Sequence, residues 1–318
     1  MVLFLVTSIA WADTCSAYGP PESVAELTSS PVRESSGLAQ SRTRDGVWFT
    51  HNDKGDEPTI YAFDLNGKYI EAHDVKNASH FDWEDIAAAP CPDRGDCLYI
   101  GDIGDNDKSR AGIVVYVVRE PEEGKSTKAI ETWAGVYPDG PWDAETLMVH
   151  PCTGRVHVIT KDGDGDSRIY RFPAFPGKET STLEHVGTVH IDGLEQTARQ
   201  VTGGDFDVDG DRVVIRTGNS IREWLVDPEA PNGHWNDPPT DISGAAEFQG
   251  EGITYSLDGG LVTTSEGDPM TIGVVPCEGT EPAEQECDYP FQGGCGGCNA
   301  APKASMILPL AGLFRRRR

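Results

Sequence analysis

Two sets of side chains in this chain have types and spacings suited to chemistry: a histidine close to a carboxylate, and acidic residues that recur at the start of similar segments. His51-Asn52-Asp53 is the best-shaped trio for acid–base catalysis, because an imidazole titrates near neutrality and a carboxylate can orient it or work beside it. On a strand, His51 and Asp53 share a face and Asn52 points away; in a turn, the Asn and Asp side chains would serve the backbone instead. Glu84, Asp102, Glu145 and Glu251 offer only oxygen, the donor that suits Ca2+ or Mg2+; adding His51 would admit zinc or manganese. Carboxylates gathered around one point repel each other, which raises some of their proton affinities or recruits a cation. The same groups could instead cap strand ends and bond backbone amides of neighbouring units.

Two further acidic runs, Asp162-Gly163-Asp164-Gly165-Asp166 and Asp205-Phe206-Asp207-Val208-Asp209-Gly210-Asp211, alternate oxygens in the manner of calcium loops. An EF-hand loop needs a glutamate at its twelfth position, where this chain has Pro173 and Arg216. Both runs read better as hairpin turns, the second with Asp209-Gly210 turning the chain. Other signatures are missing. Ser220 lacks the closing glycine of a nucleophile elbow, and no phosphate-cradling Gly-x-x-x-x-Gly-Lys, His-Glu-x-x-His or dinucleotide fingerprint occurs. The tryptophans read as packing between units, with Trp235 in its Pro/Asn/Asp loop as the one candidate for an exposed contact.

The elements that must position these residues repeat. Five segments share one grammar: a small or acidic residue, an apolar strand, a turn and a second apolar strand. Their apolar markers Leu38, Ile86, Leu147, Phe206 and Ile253 are spaced 48, 61, 59 and 47 residues apart. Second strands follow at 47–50, 98–100, 156–160, 212–216 and 261–264, and third strands at 59–63, 113–118, 168–172, 221–225 and 270–275. Residues 184–191 add an outer strand to the third unit. A period near 50 with short β-branched strands and Gly/Asp turns is the mark of a β-propeller, in which each small sheet covers its faces by stacking on its neighbours around an axis. The fold expected is therefore all-β, a β-propeller with five recognisable blades, five- or six-bladed in total; residues 15–33 could contribute to a sixth. Each innermost strand would bring its acidic start to one end of the axis, so that Glu34, Asp82, Glu84, Asp143, Glu145 and Glu251 converge. The second-strand ends would add His51, Asp53, Asp102, Asp105, Lys161, Asp162 and Glu266.

Composition limits the partners. The chain has 318 residues, 52 acidic against 26 basic, and a net charge of −26. Such a surface repels nucleic acid and anionic lipid and favours cations. No run of 18 apolar residues occurs, so an ordinary spanning helix is not expected. Residues 2–9 are largely apolar and lead into Ala10-Trp11-Ala12, which reads as a secretory signal cleaved after Ala12, although no basic start precedes it; a buried N-terminal strand is the alternative. Eight cysteines fit export. Local pairs are expected between Cys91 and Cys97 and between Cys277 and Cys287, each flanking a polar loop, with Cys15 and Cys152 available to tie the N-terminal segment to the fold.

At the other end, Gly293-Gly294-Cys295-Gly296-Gly297-Cys298, a short apolar stretch and Arg315–Arg318 resemble the myxobacterial C-terminal sorting tail (MYXO-CTERM). The resemblance implies export, processing near the cysteine and display on the cell surface; the apolar stretch is shorter and interrupted, and the Cys-x-x-Cys spacing differs from the family pattern. In the body, Ser36-Gly37-Leu38, Phe49-Thr50-His51-Asn52-Asp53, Asp82-Trp83-Glu84-Asp85-Ile86-Ala87, the run Tyr99-Ile100-Gly101-Asp102-Ile103-Gly104-Asp105-Asn106 and Gly250-Glu251-Gly252-Ile253 resemble a family of exported bacterial propellers without settled function. More distantly the chain is similar to TolB-like, gluconolactonase-type and esterase-like-phytase propellers. Those families imply an axial funnel, sometimes holding a divalent metal, and they disagree on activity.

The organisation expected is a signal over 1–12, an N-terminal segment over 13–33, the propeller over 34–276, a Cys-containing linker over 277–294 and the sorting tail over 295–318. The function expected is an exported, surface-displayed, monomeric propeller. It would bind an unidentified small molecule or surface partner through its acidic axial face and touch the envelope only through its tail. The alternative is a divalent-metal-dependent hydrolase of lactone or phosphoester type, with Glu84, Asp102, Glu145 and Glu251 holding Ca2+ or another divalent cation while His51 or Asp53 activates water. An inert envelope scaffold is the third reading.

Overall fold

The computed structural model describes residues 13–174, 176–193, 195–227, 233–242 and 249–282. The expected signal and sorting tail lie outside the described residues. Two strands, β1 (Asp13–Tyr18) and β2 (Glu22–Leu27), precede the first repeat. The first blade is β3 (Ser35–Gln40), β4 (Trp48–Asn52), β5 (Thr59–Phe63) and β6 (Tyr69–Lys76). The second is β7 (Trp83–Pro90), β8 (Asp96–Asp102), β9 (Ile113–Arg119) and β10 (Thr127–Val136). The third is β11 (Ala144–Val149), β12 (Val156–Thr160) and β13 (Asp166–Arg171), then, beyond the two-residue β14 (Ser181–Thr182), β15 (Glu184–His190). The fourth is β16 (Val201–Phe206), β17 (Arg212–Thr217), β18 (Ile221–Leu225) and β19 (Thr240–Asp241). The fifth opens with β20 (Gly250–Tyr255), β21 (Leu261–Ser265) and β22 (Met270–Val275), and its fourth strand is β2.

The ring is closed. The inner strands β3, β7, β11, β16 and β20 each lie against the next, and β20 lies against β3. Five apolar wedges fill the five seams. Trp83 and Ile86 meet Phe49 and Ile60 between blades one and two; Met270 and Ile272 meet Leu38 and Trp48 between blades five and one. A blade buries both faces this way, which is why strands such as β4 and β12 are buried at every position while outer strands such as β6 alternate.

Four expectations are corrected. There is no sixth blade among the described residues: Glu22–Leu27 completes the fifth, pairing antiparallel with β22. Cys277 pairs with Cys15, not Cys287, and β23 (Cys277–Pro282) runs antiparallel to β1 beside that bridge. Trp235 is buried against His157 and Gly187 rather than exposed. In the fourth blade the ring position of Leu38, Ile86, Leu147 and Ile253 belongs to Gly204, with Phe206 two residues further on, because the bulge in β16 falls between Val201 and Gly203. Cys91–Cys97 forms as expected, and Cys152 is also disulfide-bonded.

Cys15–Cys277 spans 262 residues and fastens the closure, whereas Cys91–Cys97 spans six. Loop-closure entropy therefore predicts unequal losses on denaturant unfolding. Serine at Cys15 and Cys277 should cost roughly 3–5 kcal/mol, and serine at Cys91 and Cys97 about 2 kcal/mol. The reverse order would show that closing the ring is not what the long bridge stabilises.

Candidate functional site

Each inner strand carries a β-bulge near its start, and the bulge places one residue per blade at a common level of the axis. Register shifts between Ser35 and Leu38, Trp83 and Asp85, Ala144 and Thr146, Val201 and Gly203, and Gly250 and Ile253 leave Ser36, Glu84, Glu145, Thr202 and Glu251 at this position. All five are buried. A bulge re-aims a side chain out of the pleat. Here the two hydroxyls bond towards the next blade: Ser36 Oγ donates to Glu84 O at 2.7 Å and Thr202 Oγ1 to Gly250 O at 2.8 Å. The three glutamates have no such outlet.

Two cations act on them. Lys161, the residue after β12, donates to Glu145 Oε1 at 2.8 Å and also feels the charges of Glu251 and Glu84. Arg216, buried beside β20, donates to Gly252 O and Thr264 O at 2.9 and 3.1 Å, and its charge favours ionised Glu251. Two cations do not balance three carboxylates. Burial, then the charge of Glu145, pushes the Glu251 carboxyl up to about 9, and its buried Oε2 has no hydrogen-bond partner. Burial, with the charges of Glu145 and Asp53, likewise holds Glu84 well above the carboxylate range. Burial raises Glu145 too, against the pull of Lys161. Lys161 itself is driven up by Glu145, which outweighs its own burial.

The next layer outward is also acidic. Asp53 follows β4 in the place that Lys161 takes after β12, and its backbone N–H donates to Glu34 O at 2.9 Å. Carboxylate oxygens of Asp53, Asp82 and Glu84 lie within 4.8 Å of one another. Gly104 makes that approach possible: a Cβ there would sit 2.0 Å from Glu84 Oε1 and 2.8 Å from Asp82 Cγ. Asp82 Oδ2 accepts from Lys54 Nζ at 3.2 Å, and its buried Oδ1 has no partner. At the rim the acids are matched. Arg110 donates to Asp102 at 2.7 Å, while Arg168 and Lys108 donate to Asp162 at 2.8 and 3.2 Å. These cations also cover the rim aromatics, Lys54 and Arg110 lying over Phe81, Lys108 and Arg168 over Trp142. Negative charge therefore goes uncompensated inside the mouth, not around it.

The expected site residues separate accordingly. Glu84, Glu145 and Glu251 come together on one level, and Asp53 stands beside Glu84. Asp102 is elsewhere: it pairs with Arg110 and accepts the backbone N–H groups of Phe81 and Asp82 at 3.2 and 3.3 Å. His51 is fully enclosed, its ring edge-on to Trp83 at 5.7 Å in the seam between blades one and two, and burial pushes its pKa down to about 4. Asn52 serves the backbone, accepting from the N–H groups of Arg33 and Glu34 at 2.8 and 3.2 Å. Asp162 accepts from Thr160, Arg168 and Lys108, so the glycine-rich run after β12 is a paired turn. Gly104 and Asp82 had a sequence signal, the Gly-Asp-Ile-Gly-Asp-Asn run and the residue two before Glu84, but nothing in the sequence placed one against the other.

Ca2+–oxygen distances of about 2.3–2.6 Å put ligands around one ion no more than about 5 Å apart. The Asp53–Asp82–Glu84 group meets that spacing; Glu145, held by Lys161, and Asp102, held by Arg110, are already paired. Asp53 is partly exposed at the mouth.

No family model and no curated protein matches this chain. Among solved structures it is similar to the PQQ-bound aldose sugar dehydrogenase of Streptomyces coelicolor, 12% identical over 82% of this chain and 99% of that one, with a TM-score of 0.49. It is also similar to the soluble aldose sugar dehydrogenase of Escherichia coli in its apo form, 11% identical over 81% and 99%, TM-score 0.46. A nidogen/laminin complex is 16% identical over 74% and 73%, TM-score 0.40. The propeller assignment rests on the strand order and closed ring of this chain.

Two outcomes follow from the charge imbalance. Lys161→Met leaves Glu145 buried without its partner, so it should cost about 3–5 kcal/mol at pH 8. At pH 5, where the glutamates hold protons, the loss should shrink to a fraction of that; equal losses at both values would mean that Lys161 acts by packing alone. The second concerns Glu251. Its folded carboxyl keeps a proton that the unfolded chain releases near 4.5, so its stabilisation is complete below that value and is lost as pH climbs towards 9. His51 and His150, both pushed by burial to about 4, act in the opposite sense only below about 6.5. Stability should fall between pH 6.5 and 9, by up to about 3 kcal/mol from Glu251 alone. Glu251→Gln should flatten that slope in urea titrations, and an unchanged slope would show that this carboxyl is not the group releasing the proton.

Proposed function

We propose that this protein is an exported binding propeller whose axial mouth takes a divalent cation, with Asp53, Asp82 and Glu84 as its ligands and Glu145, Glu251 and Lys161 setting the charge beneath. The observation that supports it is the meeting of three carboxylates from two blades, one of them with a buried oxygen that nothing bonds. Hard oxygen donors favour Ca2+ or Mg2+. A cation seated there would give oxygen-bearing ligands something to coordinate, whereas the bare mouth suits only cationic groups. Export is supported by the Cys15–Cys277 and Cys91–Cys97 bridges, which persist in oxidising compartments. Display at the cell surface would depend on the C-terminal tail. Among the described residues no helix is long and apolar enough to cross a membrane.

The test is titration of the purified, chelator-stripped chain with CaCl2, followed by calorimetry in two buffers of different ionisation enthalpy. Binding should release protons, because raised carboxyls such as Glu84 give theirs up to the metal. The double variant Asp53→Asn/Glu84→Gln should lose this component. Heat and proton release that are the same in the double variant as in the parent would overturn the assignment of the mouth as the cation site.

A further inference from the structure

The first strand of the fourth blade starts at the axial mouth and ends at the opposite face, where it turns through Asp207-Val208-Asp209-Gly210-Asp211 into β17. One carboxylate oxygen from each of Asp207, Asp209 and Asp211 lies within 4.8 Å of the others, the second such group among the described residues. Asp207 is the anchor. Its Oδ1 accepts the backbone N–H groups of Gly210 and Arg212 at 2.8 and 3.2 Å, which closes the turn. Its Oδ2 accepts nothing, although the residue is only 3% exposed. A hairpin needs the first pair of bonds and gains nothing from the second oxygen. A buried carboxylate oxygen without a donor is costly unless something positive meets it. Arg212, the nearest cation on the turn, reaches away to Glu223 and to Cys15 O, each at 3.4 Å.

The surroundings indicate what such a ligand would do. Thr14 Oγ1 donates to Asp209 Oδ2 at 2.8 Å, so β1 lies directly on the turn. The next residue, Cys15, forms the bridge to Cys277 that fastens the closure. We propose that the Asp207–Asp209–Asp211 turn is a second, structural Ca2+ site, which ties the N-terminal strand to the fourth blade at the face opposite the axial mouth. Three carboxylates supply hard oxygen; with waters and turn carbonyls they suit the six to eight ligands of Ca2+ better than the rigid octahedron of Mg2+.

The experiment counts ions on the full disulfide-bonded chain by equilibrium dialysis with radioactive Ca2+. It is made in the Asp53→Asn/Glu84→Gln background, so that the axial mouth contributes nothing. That background should hold one Ca2+ per chain. Adding Asp211→Asn, at the exposed end of the turn, should weaken binding at least tenfold, and adding Asp207→Asn should abolish it. Ca2+ should also slow amide hydrogen exchange over residues 14–18 in the background protein, and not in the Asp211→Asn protein. A background protein that binds no Ca2+, or an Asp211→Asn protein that binds as tightly as its parent, overturns the proposal. Should Asp207→Asn fail to fold, the Asp211→Asn comparison decides alone. Loss of the axial site would instead show as equal ion counts in the wild type and the background protein.

Discussion

Everything in this molecule depends on how closely five inner strands approach one another. A Cβ on Gly37 would fall 2.5 Å from Ile86 N, one on Gly203 2.5 Å from Glu251 O, and one on Gly252 2.8 Å from Leu38 Cβ. Real Cβ atoms are not found that close to backbone or to another Cβ, so these three positions admit only glycine. Where the second blade has Asp85 at the same level, its carboxylate bonds across the gap, accepting from Leu147 N at 2.9 Å. Two residues further along the fourth blade, Asp205 does the same to Tyr255 N and Thr254 Oγ1. A ring this tight leaves a narrow axis, and the bulge residues have nowhere else to point.

Its electrostatics follow from that geometry. Acids at the rim, Asp102 and Asp162, are buried too, but Arg110, Arg168 and Lys108 reach in from the more open side and bond them, so their charge is matched. Acids on the bulge level are dry, and a dry carboxylate must keep a proton, find an ammonium or meet a metal. Three glutamates, Lys161 and Arg216 divide these solutions among themselves. The same physics separates the neighbouring residues of the His51 trio: His51 faces the seam and stays neutral, whereas Asp53, two residues on and just past the strand, reaches the mouth.

How far the sequence foretold this depended on the range of the interaction involved. Leu38, Ile86, Leu147 and Ile253 were legible as markers because each repeats in a local pattern of glycine or acid, apolar strand and turn. Glu84, Glu145 and Glu251 were legible with them, standing two residues before the marker in every case. Phe206 misled because a glycine occupies the true ring position, and a pattern of apolar residues passes over a side chain that is absent. Asp102 belongs to the most specific motif of the chain, yet its partner, Arg110, lies eight residues away across a loop whose path no periodicity encodes. Cys277 had a nearby partner in sequence and a distant one in space. The closure that brings Cys15 to it is a property of the whole ring, as is the use of residues 22–27 to finish a blade begun at residue 250.

The outer edges of the first two blades are joined by parallel pairing of β10 with β6, at Thr127 with Val75 and Lys128 with Lys76. The next seam has a counterpart: β14, in the third blade's connection, runs parallel to the other end of β10, at Gly135 with Ser181 and Val136 with Thr182. Hydrogen bonds at the outer edge thus bridge the first two seams, and breathing of the ring falls more easily on the remaining three joints. Asp53 comes from the first blade, and Asp82 and Glu84 from the second, so the three stand astride one of the two bridged joints. That bridge limits how far the two blades, and with them the three carboxylates, can draw apart.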